Sequence, residues 1–254
     1  MEDLKTSVPA IDKMVRICTY LRLVGHASFS RIQTSLSLPK SSTHTILESL
    51  LAHGLIHLDE NGSYSLGLKL YEFGSNAIAS FDFKREAMPI LYDLRDKARL
   101  TCHLGVLQER EAIYLAKVES PQSVIVKSWE GRRLALYCTS LGKALIAWKS
   151  EAEIDHIFPQ ESLPGFTPKT ITTRTALKRD LEIVRLRGWA MDDGEDKEGV
   201  RCISAPVRDA AGSVIAAISV SGVDFQIPDS RIEELSILVK AACIAMSGAL
   251  AFRP

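Results

Sequence analysis

Two kinds of hydrophobic spacing divide this chain. Up to about residue 98 apolar side chains recur at helical intervals, and from Thr101 onward most of them alternate as in strands. Ile11, Met14, Val15, Cys18 and Leu21 make one apolar stripe of a first helix, which Gly25 closes because glycine suits a C-terminal cap. Ser28 can cap a short second helix carrying Ile32 and Leu36. After the tight Ser37-Leu38-Pro39 connection, a third helix begins near Lys40 and ends at Gly54. It turns Thr43, Ile46, Leu47, Leu50 and Leu51 inward and Ser41, Ser42, His44, Thr45 and Glu48 outward. Two short alternating stretches, 56–58 and 64–66, flank Asp59-Glu60-Asn61-Gly62-Ser63, whose Asn-Gly pair predicts a two-residue hairpin turn. Helix, helix, turn, helix, hairpin is the order of a winged helix-turn-helix; a small α+β subdomain of an enzyme shares it.

A linker helix is predicted over 67–81, with Leu68, Tyr71, Gly74 or Ser75, and Ile78 on one face that should pack against something. The next helix, 83–98, turns Ala87, Ile90, Leu91 and Leu94 inward, and Pro89 within it predicts a kink or a late start. Segments 102–107, 112–118 and 123–129 read as consecutive antiparallel strands, with a fourth over 134–138. Helices follow at 141–149, 151–158 and 175–187, then strands at 202–208 and 213–223. A last helix opens at Pro228, a favoured first-turn residue, and buries Ile232, Leu235, Leu238, Val239, Ala242 and Met246. The class is therefore α+β. A winged helix-turn-helix over 1–66 and a linker helix over 67–81 precede a domain over 82–254, built on one mostly antiparallel sheet.

Composition narrows the function. With 46% hydrophobic and 24% charged residues the chain is globular, and no apolar run approaches the ~18 residues of a membrane span. The opening Met1-Glu2-Asp3-Leu4-Lys5 is unlike a secretory signal, so a cytoplasmic protein without a membrane partner is expected. Five scattered cysteines without a CxxC pair predict neither a disulfide framework nor a thiolate zinc site. The balance of 31 basic and 31 acidic residues argues against nucleic acid only as an average over the chain. Between residues 13 and 57, Lys13, Arg16, Arg22, Arg31 and Lys40 stand against Glu48 alone, a local charge of +4, and His26, His44, His53 and His57 lie there too. A helix-turn-helix sets short polar side chains in the major groove and cations on flanking phosphates. Ser28, Arg31, Lys40, Ser41, Ser42, His44 and Thr45 are the candidates.

No GxSxG, HExxH, P-loop or GxGxxG motif is present. His103 and Cys202 would make a thiol–imidazole pair only if the fold joined them, so no catalytic residue, metal or cofactor is assigned. The second half suggests binding instead. Ser219 and Ser221 share a face of one apolar strand, as Cys202 and Ser204 do on the preceding one, and buried hydroxyls must be satisfied by a ligand or by neighbouring backbone. The amides of Ser140, Leu141 and Gly142, where a strand passes into a helix, can hold a carboxylate, although Thr139 or Ser140 can equally act as a cap. Asp192, at a strand end, can accept from a ligand hydroxyl or merely end a turn. Together these describe an apolar cavity with converging small polar groups.

The run Leu38-Pro39-Lys40-Ser41-Ser42-Thr43-His44 resembles the recognition-helix signature of IclR-family bacterial transcriptional regulators. Tyr64-Ser65-Leu66-Gly67, Val118-Glu119-Ser120-Pro121 and Thr139-Ser140-Leu141-Gly142-Lys143-Ala144 are similar to further family motifs, in the family's order. The strongest matches are Gly199-Val200-Arg201-Cys202-Ile203-Ser204-Ala205-Pro206-Val207 and Ser219-Val220-Ser221-Gly222. The resemblance implies a GAF-like effector domain behind the winged helix-turn-helix, and homodimers that often pair into tetramers on double-stranded operator DNA. It also implies an effector held by amides at the start of the Gly-Lys-Ala helix and by Asp192, Cys202, Ser219 and Ser221. Thr45 stands where the family commonly has arginine, Arg31 replaces an acidic residue, Tyr137 and Cys138 replace a His-Ala pair next to the implied pocket, and Gly194 and Asp196 replace a glutamate and an aromatic in the loop that would line it. The expectation is an effector-responsive regulator, a repressor of a catabolic operon, sensing a small organic or sugar acid. The alternative is a small-molecule sensor or thiol-dependent enzyme whose N-terminal domain binds protein.

Overall fold

The structure, a computed structural model, describes residues 6–79, 83–122, 124 and 126–251, with the side chains of 75–79, 83 and 251 outside the description. The chain divides into two compact units, Met1–Phe81 and Asp82–Pro254.

In the first unit α1 (Pro9–Val24), α2 (Phe29–Ser35) and α3 (Lys40–Ala52) surround Ile17, Leu21, Ile32, Leu38, Leu47, Leu50 and Ile56. Three short antiparallel strands, β1 (Ala27–Ser28), β2 (Ile56–Leu58) and β3 (Ser63–Leu66), form the sheet β1-β3-β2. β1 pairs Ala27 with Tyr64 and Ser28 with Ser63, a strand too short for periodicity to reveal. α4 (Leu68–Ala79) follows. Its start is fixed by close approach: a Cβ on Gly67 would stand 2.2 Å from the Gly54 carbonyl oxygen, so only glycine fits there.

Three expectations change here. Ile11 and Val15 are 50% and 52% exposed, because the core takes Leu21, Met14 and Cys18 of the expected stripe and adds Ile17 beside them instead. Leu68 and Tyr71 of the linker helix are exposed as well, while Ser75 and Ile78 lie outside the described side chains. The wing turn is not a two-residue Asn-Gly turn. Asp59 N–H donates to Ser63 O and Gly62 N–H to Asp59 O, and only Gly62 (φ +75°) is left-handed, which is a longer loop closing on a glycine bulge.

The second unit is built on six strands, all paired antiparallel. They are β4 (Thr101–Gln108), β5 (Glu111–Val118), β6 (Arg133–Ala135), β7 (Ala190–Asp193), β8 (Val200–Arg208) and β9 (Val214–Val223), in the order β6-β5-β4-β9-β8-β7. One face, with Cys102, Leu104, Ile203, Ala205, Ile218 and Val220, packs on α5 (Phe83–Ala98) and α9 (Asp229–Ala251). The other face meets α6 (Ser140–Ile146), α7 (Glu151–Ile157) and α8 (Arg174–Arg187). α5 runs through Pro89, which lies on its exposed side, instead of starting late.

The expected strand over 123–129 does not form: residues 124 and 126–129 join no ladder, while 123 and 125 lie outside the described residues. The free edge of β5 is taken by the chain that follows. Gly131 N–H donates to Tyr114 O and Tyr114 N–H to Arg132 O, leading directly into β6. The displaced segment becomes a strap held by side chains: Lys117 Nζ donates to Ser128 O (2.8 Å) and Gln226 Nε2 to Val124 O (3.0 Å). The strand expected over 134–138 stops at Ala135, because Thr139 Oγ1 turns back to donate to Ala135 O (2.7 Å) and caps α6.

Candidate functional site

Of the groove-facing candidates, Lys40, Ser41, His44 and Thr45 are exposed along one face of α3. Lys40 is the first helical residue, behind Pro39 at the cap position, where no side chain claims the leading amides. His44 Nδ1 meets Glu48 Oε2 at 3.1 Å, both side chains open to solvent, and Thr45 Oγ1 donates back to Ser41 O at 3.2 Å. Ser42 departs from the expected outward position. It is half-buried, donates to Pro39 O at 3.2 Å and accepts from Lys13 Nζ at 3.2 Å, so it joins α1 to α3. Arg16 likewise turns in, donating to Leu36 O at the end of α2. Ser28 caps α2 by accepting from Arg31 N–H (3.4 Å), and the Arg31 side chain is exposed.

In the second unit the strand register gathers the expected polar residues. Asp192 stands opposite Cys202, Cys202 opposite Ser221, and Ser219 opposite both Ser204 and His103, so all face the α6 side of the sheet. Of these, Asp192, Cys202, Ser219 and Ser221 line a cavity of about 250 Å³ together with Ser140 and Leu141 at the start of α6, while His103 and Ser204 lie behind its wall. Gly142 is not in its wall. Its amide donates to Thr139 Oγ1 (3.1 Å), and a Cβ there would lie 2.5 Å from Leu136 Cα, so its part is to let the α6 turn close on the preceding chain. Thr139 takes the capping role, and the amides of Ser140 and Leu141, at the head of the helix, have no intrahelical acceptor.

The hydroxyls separate into two kinds. Ser204 Oγ donates to Ile218 O (2.9 Å) and is satisfied by backbone. Ser219, 1% exposed, lies in the cavity wall with its Oγ unpartnered, and His103 across the ladder has an unpartnered Nδ1. Two orphaned buried polar atoms on opposed residues cost free energy that a bound polar group would offset. Burial, reinforced by Lys117 and Arg132, holds His103 neutral, its pKa lowered to about 3. Its Nε2 is engaged by Ser128 Oγ at 2.8 Å and its ring stacks on Tyr114. Cys202 therefore has no imidazole activating it; burial and Asp192 push its thiol up, away from the reactive thiolate.

Asp192 is 2% exposed, and burial pushes its carboxyl up to about 7, with Glu195 and Asp196 adding their negative charge. Its Oδ1 accepts from Glu195 N–H at 2.7 Å. Beside it Lys143, 1% exposed, bridges Glu195 (2.6 Å) and Asp180 (3.0 Å), tying α6 to α8 and to the loop after β7.

Comparison with known proteins decides the family. Residues 10–60 match the IclR helix-turn-helix domain and residues 75–248 the bacterial transcriptional regulator IclR C-terminal domain. The chain belongs to the IclR family of bacterial transcriptional regulators. It is 37% identical to the HTH-type transcriptional regulator XynR of Escherichia coli K12, over 96% of this chain and 99% of that one. It is 32% identical to the HTH-type transcriptional repressor AllR of Salmonella typhimurium, over 96% and 91%. The crystal structure of Thermotoga maritima IclR superposes with a TM-score of 0.81 at 30% identity, covering 96% and 99%.

In this IclR-family chain Asp196 lines the cavity, as the resemblance implies for its loop, while most of the remaining wall carries no expectation from the sequence. Val126, Lys127, Ser128 and Trp129 come from the strap, Arg132 and Leu134 from the chain that takes the β5 edge, Tyr114 from β5, Val200 from β8, and Asp196 and Lys197 from the loop after β7. The strand expected over 123–129 conceals the strap residues alone. The available signal was Trp129-Glu130-Gly131-Arg132, an aromatic and a cation around a glycine turn (φ +80° at Gly131), which is turn chemistry rather than strand chemistry. Among the described residues no histidine, cysteine or carboxylate cluster fits a metal, and no helix is long and apolar enough to cross a membrane.

Proposed function

We propose that this regulator represses a catabolic operon by binding double-stranded operator DNA through the exposed face of α3, and that a small carboxylate in the second-unit cavity modulates that binding. The observation that carries the effector half is the orphaned Ser219 Oγ in a buried cavity beside Ser221, Cys202, Asp192 and the leading amides of α6. An organic or sugar acid matches it, the carboxylate accepting from hydroxyls and amides and the hydroxyls donating to Asp192. Repression is supported by kinship with AllR, named a repressor.

A homodimer, in which two recognition helices reach successive half-sites, is supported by the uncovered apolar residues Val8 before α1, Ile11 and Val15 of α1, and Leu68 and Tyr71 of α4. Domain limits of 1–66, 67–81 and 82–254 fit this division of labour, with the protein acting in the cytoplasm. Lys40, Ser41, His44 and Thr45 are assigned to the groove, Arg31 and Ser28 to the phosphates, and Ser42 to support of the helix. The test is the Ser219→Ala/Ser221→Ala double variant. It should lose effector response in DNA-binding anisotropy while keeping its operator affinity, and loss of DNA binding itself would make the serines structural and end the pocket assignment.

A further inference from the structure

The cavity has two ends of different character. Ser140, Leu141, Asp192, Ser219 and Ser221 are each at most 3% exposed, whereas Trp129 is 37% exposed and the Arg132 and Asp196 side chains 27% and 28%. The buried end suffices for a carboxylate and its α-carbon. The space does not stop there: the cavity of about 250 Å³ continues from these residues to Trp129, Arg132 and Asp196, so a two- or three-carbon acid held at the buried end would leave the outer end to solvent.

The outer end is built by two loops that meet across the mouth. Arg132 Nη2 reaches Asp196 Oδ2 at 3.3 Å, a long contact that among the described residues engages one of the five N–H groups of the guanidinium. Behind it the Arg132 Cζ lies 5.7 Å from the centre of the Trp129 ring. A forked donor, a carboxylate acceptor and an aromatic face together suit a chain of vicinal hydroxyls, each of which donates and accepts, with its C–H edges against the indole. An apolar tail would displace water from Arg132 and Asp196 and return no hydrogen bond, which is a strong basis for rejection.

Resting on the pocket reading above, we propose that Arg132, with Asp196 and Trp129, is the specificity end of the cavity and selects a polyhydroxylated carboxylic acid of five or six carbons. The proposal adds the ligand's length and the residue that reads it.

Calorimetry on the full chain tests this with a series sharing one carboxylate: glycerate, ribonate, gluconate, galactonate, and hexanoate as the unhydroxylated control. At least one of the long hydroxy acids should bind at least tenfold tighter than both glycerate and hexanoate. Arg132→Ala should remove that advantage and leave glycerate unchanged, and Arg132→Lys, which keeps the charge but not the fork, should fall between. Hexanoate binding as tightly as the hydroxy acids overturns the proposal, and so does an Arg132→Ala variant that weakens glycerate and the long acids alike. Glycerate binding unaffected by the Ser219→Ala/Ser221→Ala double variant would instead strike the underlying pocket assignment, so the two failures are distinct.

Discussion

Replacing Lys143 with methionine removes one buried charge at nearly constant volume, so electrostatics and not a cavity decides the outcome. Its side chain is 2% exposed, against 10% for Glu195 and 23% for Asp180. Truncating one partner of a buried ion pair costs about 3–5 kcal/mol, because the other charge is left uncompensated. Here Asp180 retains contact with water and Glu195 can take up a proton, which points to the lower end, about 3 kcal/mol at pH 8. Burial already raises the Glu195 carboxyl above its ordinary value against the pull of Lys143, and without the ammonium it rises further. The folded variant then holds a proton that the unfolded chain has released. Its stability therefore falls as pH climbs from the unfolded glutamate value through the raised folded one, and the deficit is smaller near pH 5 than at pH 8. Urea unfolding followed by tryptophan fluorescence reads the relevant unit, since Trp129, Trp148 and Trp189 all lie in Asp82–Pro254. Adding Glu195→Gln to the variant should recover part of the loss. An unchanged urea midpoint, or a deficit that does not vary with pH, would refute the claim that Lys143 neutralises the loop beside the cavity.

Two further outcomes follow from the same geometry. Asp192, raised to about 7, is best accommodated next to a carboxylate ligand when it is itself protonated. Binding of an anionic effector should therefore take up protons and weaken as pH rises through about 7, measurable by calorimetry in buffers of different ionisation enthalpy. Because that folded value lies above the unfolded one, Asp192 also lowers stability as pH rises from about 4 to 7, so Asp192→Asn should gain about 2–4 kcal/mol at pH 8 and almost nothing at pH 4. At the other unit, Lys40→Ala should weaken operator binding and reduce the slope of log affinity against log salt by about 1 per subunit. An unaltered slope would take Lys40 off the phosphate backbone.

What could be read from the chain alone was local in origin. Helix limits followed from caps and period: Ser28 at α2, Thr139 at α6 and the glycine after Arg187 at α8 are within a residue or so of where spacing put them. The neutral total charge concealed a basic window, yet even there the fold spends part of it inward, with Lys13 and Arg16 bonded to Ser42 and Leu36. Where two segments compete for one partner, periodicity cannot choose. Residues 126–129 alternate well enough for a strand, but 131–135 hold the β5 edge, and the displaced segment becomes cavity wall, with Trp129 at the outer end beside Arg132 of the segment that displaced it. Pairing across the sheet is equally invisible from sequence. Ser204 and Ser219 are opposed residues on the same face, both buried, and their roles diverge on one fact: Ser204 finds the Ile218 carbonyl and Ser219 finds no partner. A satisfied hydroxyl contributes to the sheet, while an unsatisfied one beside open volume stores a free-energy cost that a ligand can relieve, and so only the second can report an effector's presence.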